Sequence, residues 1–130
     1  MVGNSIGFTG RARGMTEAQK ASVALILTSL KDEGEALHND GEGADQEFAV
    51  LASGIGIKVN TTPAQTPMAR NRTLVSLSKI LVAAPPTDFL LKTGSGSWET
   101  IKYAWKAAIP VHIVLSDGRV VHTKAELPTA

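Results

Sequence analysis

Strand-like and helix-like segments alternate along almost the whole chain, and this alternation limits the possible folds more than any other feature. Five short apolar segments are separated by four segments whose apolar residues recur at helical intervals. In the first helical segment, Val23, Leu27 and Leu30 follow one another at spacings of four and three residues. Strands joined through helices pair in parallel, and right-handed crossovers place the helices on both faces of the sheet. The sequence therefore predicts an α/β fold with a mainly parallel sheet of five strands.

Cap and turn residues mark the ends of the predicted elements. Thr16 and Gln19 have the spacing of a capping box at the start of the first helix, and Gly34 is expected to end that helix. Asp45 is suited to cap the second helix. Strands are expected at residues 5–8, 35–39, 57–60, 80–84 and 110–115.

The chain has the length of a single domain. We expect one domain over residues 1–130, with its core at about 5–118. Hydrophobic residues make up 43% of the chain, which is enough for a compact core. The tail at 119–130 contains Val120 and Val121 and is expected to form either one more strand or a short arm.

Composition argues against several classes of function. A net charge of +1 and only 5% aromatic residues speak against nucleic acids and membrane surfaces as partners. The chain has no cysteine and three scattered histidines, so we expect neither a metal site nor a cofactor. No apolar run reaches the roughly 20 residues of a membrane span. The start does not resemble a signal peptide, so a cytoplasmic location is expected.

The loops that follow the strands are the candidate ligand sites, because open α/β sheets bind ligands beyond the carboxyl ends of their strands. In the first loop, Gly10 allows a ligand to approach the backbone and Arg11 suits a phosphate, although Gly-rich turns are common there. In the second loop, Asp40, Glu42 or Asp45 either accepts hydrogen bonds from a ribose or a base or remains solvated, with Asp45 as a helix cap.

The third and fourth loops add candidate anion-binding groups. Arg70-Asn71-Arg72 opens a helix, where two arginines oppose the helix dipole, and this favours an anion site over a solvated basic turn. Gly94-Ser95-Gly96-Ser97 leads into the last helix and has the form of a phosphate cradle rather than of a flexible linker. Trp98 beside it either covers a ligand base or packs at a subunit interface. This local excess of positive charge suits a small anionic ligand better than a polymer.

Four of these motifs occur in the order typical of one protein superfamily: Gly7-Phe8-Thr9-Gly10, residues 38–45, Arg70-Asn71-Arg72 and residues 94–98. Over about residues 6–118 the chain resembles the SLOG superfamily. That group contains the Lonely Guy phosphoribohydrolases, the nucleotide-binding core of the DNA-processing protein A family, and sensor domains for nucleotide-derived signals. The resemblance implies a Rossmann-like sheet with strand order 3-2-1-4-5, a homodimer, and a nucleotide phosphate on the last Gly-rich loop.

One position departs from the hydrolase pattern. Lonely Guy enzymes carry Gly-Gly-x-Gly-Thr-x-x-Glu, and Thr100 stands where that last Glu belongs. Glu99 is one residue away, a rotation of about 100° around a helix. The resemblance therefore implies that the binding groups are kept and the hydrolytic carboxylate is lost.

Three functions remain open at this point. The first is binding of a nucleotide or an ADP-ribose-like molecule, as a sensor or a sequestering protein. The second is a nucleoside-monophosphate phosphoribohydrolase that uses Glu99 as a displaced acid, and the third is an interaction protein with a vestigial pocket. The expected ligand-binding residues are Gly10, Arg11, Asp40, Asp45, Arg70, Asn71, Arg72, Gly94, Ser95, Gly96, Ser97 and Trp98.

Overall fold

A single mixed sheet forms the centre of the computed structural model, which describes residues 3–63 and 65–129. Its strands are β1 (Ser5–Gly10), β2 (Ala36–His38), β3 (Val59–Thr61), β4 (Ser78–Ala84), β5 (Val111–Val114) and β6 (Val120–Val121). They are arranged in the order β3-β2-β1-β4-β5-β6. All neighbours pair in parallel except β5 and β6, which are antiparallel. The predicted α/β, Rossmann-like class and the strand order 3-2-1-4-5 are therefore confirmed, and the tail supplies a sixth strand.

Helices follow the strands in alternation, as the sequence predicts. They are α1 (Glu17–Ser29), α2 (Ala44–Ile55), α3 (Pro67–Leu77) and α4 (Gly96–Lys106), with a short 3-10 helix (Lys124–Glu126) after β6. Within the described residues, none of these helices is long and apolar enough to cross a membrane.

Apolar layers cover both faces of the sheet. On one face, α1 and α2 pack against the central strands, and the ring of Phe48 stacks on Phe8 with centroids 4.4 Å apart. On the other face, α3 and α4 bury Leu74, Trp98 and Ile101. Because both faces are covered, a ligand can reach the sheet only at the ends of its strands.

The ends of α1 show what the sequence predicts well and what it predicts poorly. The capping box is confirmed: the amide of Gln19 donates to the Thr16 hydroxyl, and the amide of Thr16 donates to the Gln19 side chain, both over 3.0 Å. The expectation that Gly34 ends the helix is wrong. The helix stops at Ser29, since its apolar face ends at Leu30 and the next three residues are polar.

The antiparallel β5–β6 pair brings two histidines into contact. The distance between His112 Nδ1 and His122 Nε2 is 3.0 Å. Burial of His112 and the charge of its neighbour both disfavour protonation, so the pKa of His112 lies below its ordinary value.

We predict that the free energy of unfolding decreases as the pH falls below 6.5, the ordinary pKa of histidine. In that range the unfolded chain takes up a proton at His112 more readily than the folded chain does, so acid favours unfolding. The variant His112→Gln should therefore lose less stability than the native chain in urea titrations between about pH 8 and pH 5. Equal losses in the two proteins would contradict the prediction.

Candidate functional site

A cleft of about 590 Å³ lies at the carboxyl edge of the sheet. It covers the ends of β1, β2 and β4, where the chain order in the sheet reverses direction. This is the usual ligand position in open α/β sheets, and the volume is typical of small-molecule sites. All four predicted loops contribute to it, and its lining consists of Thr9, Gly10, Arg11, Ala12, Arg13, Asn39, Gly41, Glu42, Asp45, Asn71, Pro86, Gly94, Ser95, Gly96 and Ser97.

The structure brings most of the predicted binding residues together. Those that line the cleft are Gly10, Arg11, Asp45, Asn71, Gly94, Ser95, Gly96 and Ser97. The cleft is also lined by seven residues outside that list, namely Thr9, Ala12, Arg13, Asn39, Gly41, Glu42 and Pro86. Their position at the end of a strand or in the loop that follows it was the available signal, because such positions lie at the carboxyl edge of the sheet whatever their residue type.

The backbone of Arg11 joins three parts of this edge. Its amide donates to the carbonyl of Ala84 over 3.0 Å, which continues the pairing of β1 with β4. Its carbonyl accepts from the amides of Gly14 and Ala44, both over 3.1 Å. The first loop and the start of α2 are therefore held against the end of β1. The same hydrogen bonds fix the backbone from which the Arg11 side chain extends.

Gly43 allows the first and second loops to lie in close contact with each other. Its φ is +66°, a conformation that favours glycine. A Cβ at this position would collide with the backbone of Ala12 and Gly14. The close approach of the two loops therefore depends on the missing side chain.

Two arginines have unusual surroundings. Arg11 and Arg70 are each half-buried, and the Nε of each is buried without a hydrogen-bond partner among the described residues. Buried donors normally have partners, so the Arg11 group beside the cleft is suited to an anion from outside the chain. Arg70 lies in the first turn of α3 and does not itself line the cleft.

The second loop adds carboxylates to the cleft, one of them buried. Asp45 accepts a hydrogen bond from the amide of Gly41 over 2.9 Å, and its Oδ2 is 3.7 Å from Nδ1 of His38. The expectation that Asp45 caps α2 is wrong, because Gly43 holds the N-cap position and Asp45 lies inside the first turn. The carboxylate closes the preceding loop instead. Glu42 is exposed and also lines the cleft.

Asn71 reaches the cleft through a chain of hydrogen bonds. The Thr62 hydroxyl donates to the Asn39 amide oxygen over 2.6 Å, and the Asn39 amide nitrogen donates to the Asn71 oxygen over 3.0 Å. Thr62 is buried, and its own backbone amide donates to the His38 carbonyl. The start of α3 is thereby fixed to the ends of β2 and β3.

The Gly-Ser loop forms the N-terminal end of α4. Ser95 caps the helix by accepting a hydrogen bond from the amide of Trp98 over 3.2 Å. A Cβ added at Gly94 or Gly96 would meet nothing within 4 Å, so the space beside both glycines is open. The positive end of the helix dipole is thus accessible from the cleft, which Arg11 lines as well.

Besides Arg70, three predicted ligand contacts lie outside the cleft lining. Trp98 is fully buried in the core, where its indole nitrogen donates to the Thr87 hydroxyl, so it neither covers a ligand nor lies on the surface. Arg72 faces α4 and donates from Nε to the Tyr103 hydroxyl over 2.8 Å. Asp40 is exposed and accepts from the Gln46 side chain.

The two positions that matter for hydrolysis are also outside the cleft lining. Glu99 forms an ion pair with Lys102 at 2.8 Å on the surface of α4. Thr100 is buried, and its hydroxyl donates to the Gly96 carbonyl within the helix. Neither side chain therefore faces the space in which a ligand would bind.

Comparisons with known proteins do not add to this picture. No protein-family model, curated protein or solved structure matches the chain. The resemblance to the SLOG superfamily stays a prediction, and the function has to be argued from the cleft itself.

We predict opposite effects for alanine at two glycines of the α2 region. Gly43→Ala should lower the free energy of unfolding by about 1–3 kcal/mol, since it adds both a steric collision and a strained φ. Gly54→Ala lies in the last turn of the same helix, where the added Cβ would meet nothing within 4 Å, so it should raise the free energy of unfolding by about 0.4–1 kcal/mol. Urea unfolding of both variants tests the pair. An unchanged free energy of unfolding in Gly43→Ala would show that the contact between the two loops tolerates a side chain at this position.

Proposed function

We propose that the cleft binds a nucleotide or a nucleotide-derived, ADP-ribose-like molecule, and that the protein acts as a sensor or a sequestering protein for it. The observation that carries this proposal is the presence of two kinds of group in one cleft. Arg11, Arg13 and the Gly94–Ser97 loop supply donors for an anion, and Glu42 and Asp45 supply carboxylates. A ligand with an anionic part and a hydroxyl-rich part matches both kinds of group.

The cationic and amide groups of the cleft suit a phosphate. The helix N-terminus supplies backbone amides and a positive dipole, and guanidinium groups donate in the bidentate geometry that phosphate oxygens accept. The Nε of Arg11, buried and without a partner among the described residues, is a donor that such a phosphate would satisfy. The two glycines leave the loop open to a group as large as a phosphate.

The two carboxylates of the cleft suit a sugar or a base. Carboxylates accept hydrogen bonds from ribose hydroxyls and from amino groups, and they repel a second phosphate. Asp45 is held in place by the Gly41 amide, so its position is preorganised. These groups suit a nucleotide whose phosphate lies at the Gly94–Ser97 loop and whose sugar lies near Asp45.

Binding without hydrolysis is the form of this function that the geometry supports. Cleavage of an N-glycosidic bond uses a carboxylate beside the reacting carbon. Glu99 pairs with Lys102 outside the cleft lining, and Thr100 is buried. The hydrolase reaction through Glu99 is therefore disfavoured, and the carboxylates that do line the cleft, Glu42 and Asp45, are assigned to binding the sugar.

We predict that a matching nucleotide raises the thermal stability of the protein. A ligand at 100 times its Kd adds about 2.7 kcal/mol to the free energy of unfolding, which a thermal-shift screen of nucleotides, cyclic nucleotides and ADP-ribose detects. The variant Arg11→Gln should then weaken the affinity about 10–100-fold, because a charge-assisted hydrogen bond is lost. Arg119→Gln is the matched control, since Arg119 pairs with Asp117 away from the cleft.

Chromatography of each mixture separates the remaining functions. Recovery of the intact ligand supports a binding protein. Release of free base would overturn it in favour of a hydrolase, and loss of that activity in Glu99→Gln would assign the acid. The absence of a thermal shift with every nucleotide would favour an interaction protein instead.

A further inference from the structure

Two of the three histidines of the chain meet at one edge of the sheet. The antiparallel strands β5 and β6 pair with Ile113 opposite Val121, and extending this register by one residue places His112 opposite His122. Opposite residues of an antiparallel pair lie on the same face, with Cβ atoms about 4.5–5.5 Å apart. The histidines are scattered in the sequence, which argued against a metal site, but the strand pairing brings these two together.

The two rings are close enough to share one metal ion. Nδ1 of His112 and Nε2 of His122 are 3.0 Å apart. Imidazole nitrogens bind first-row divalent metals at about 2.0–2.1 Å, so an ion held by both rings would have an N–metal–N angle of about 91–97°. Angles near 90° are typical of tetragonal Cu²⁺ and Ni²⁺ sites. A tetrahedral Zn²⁺ site would need the two nitrogens about 3.3–3.4 Å apart.

The backbone that carries the two rings is fixed by bonds within the fold. The hairpin between them is closed by a hydrogen bond of 2.8 Å from the amide of Leu115 to the carbonyl of Arg119. The carbonyl of His122 also accepts from the indole nitrogen of Trp105 in α4 over 3.2 Å. Ligands held in place in this way lose little conformational freedom on binding. His122 is exposed and His112 half-buried, so an ion can reach the pair from solvent.

We infer that His112 and His122 form a binding site for one divalent transition-metal ion, with Cu²⁺ and Ni²⁺ bound in preference to Zn²⁺. Imidazole suits these metals, whereas Mg²⁺ and Ca²⁺ prefer oxygen ligands. Among the described residues, no group of three or more histidines and carboxylates could hold a metal, so water fills the remaining positions. The site is separate from the cleft, whose lining includes neither histidine.

A metal ion bound by both rings would link β6 to the body of the sheet. β6 has two residues, lies at the edge of the sheet and pairs with β5. An ion that binds only the folded chain stabilises it by mass action. Because only two protein groups hold the ion, we expect a Kd of about 1–100 µM, far weaker than that of four-ligand structural sites.

Calorimetric titration and electron paramagnetic resonance test the site at about pH 8, where ordinary histidines are unprotonated. The native chain should bind one Cu²⁺ or one Ni²⁺, and Mg²⁺ should give no signal. The resonance spectrum of bound Cu²⁺ should show coupling to two nitrogens. Bound Cu²⁺ should also quench the fluorescence of Trp105, whose indole contacts the backbone of His122.

Substitution of the ligands assigns the ion to this pair. His112→Gln and His122→Gln should each weaken Cu²⁺ and Ni²⁺ binding at least about 10-fold, because one of two ligands is lost. The double variant should show no specific binding. It keeps His38 as an internal control, since that ring is buried and its Nδ1 accepts from the Asp40 amide. Circular dichroism spectra of all variants show whether the fold is retained.

Two results would overturn the inference. One is native affinity in the folded double variant, which would place the ion elsewhere. The other is a native chain that binds neither Cu²⁺ nor Ni²⁺ at concentrations up to about 1 mM, which would leave only a hydrogen bond between the two rings. Neither result depends on whether the cleft binds a nucleotide.

Discussion

The hydrogen bonds of the Arg11 backbone connect the fold of this protein to its candidate site. The amide extends the β1–β4 pairing by one step, and the carbonyl accepts from the amides of Gly14 and Ala44. The end of the central strand, the first loop and the start of α2 therefore form one hydrogen-bonded unit. The backbone of Arg11 makes its hydrogen bonds within the fold, so only its side chain is available to a ligand in the cleft. The buried Nε of that side chain has no partner among the described residues.

The glycines of the cleft serve two different purposes. A Cβ at Gly10 would come within 2.6 Å of the Ala44 side chain and 2.8 Å of the Phe8 ring, so this glycine is explained by the packing of α2. Gly43 is explained by the close contact of the first and second loops, which leaves no room for a Cβ. Gly94 has a φ of +83°, so its backbone conformation explains it whatever space surrounds it. Gly96 has open space and no such φ, so only this glycine is left for a ligand to explain, although in the sequence all four look alike.

Strand and helix periodicity was sufficient to predict the fold, whereas the rotation of each helix about its axis determines which of its side chains line the site. Neighbouring residues on a helix point about 100° apart, so Arg70, Asn71 and Arg72 cannot share one surface. Burial of Leu74 against the sheet sets the rotation of α3, which leaves Asn71 in the cleft and turns Arg72 toward α4. The spacing of apolar residues that fixes this rotation can be read from the sequence. The hydrogen bonds from Thr62 through Asn39 to Asn71 cannot, because they depend on how the ends of separate strands lie in space.

The electrostatics of the cleft depend on where charges lie rather than on how many there are. A net charge of +1 argues against a polyanionic partner, yet the structure collects two cations, Arg11 and Arg13, and two carboxylates, Glu42 and Asp45, in the lining of one cleft. Among the described residues, no ion pair joins either arginine to either carboxylate, and the Asp45 carboxylate is held by the Gly41 amide. A ligand that is anionic at one end and hydroxyl-rich at the other satisfies both kinds of group at once, whereas inorganic phosphate would satisfy only the cations.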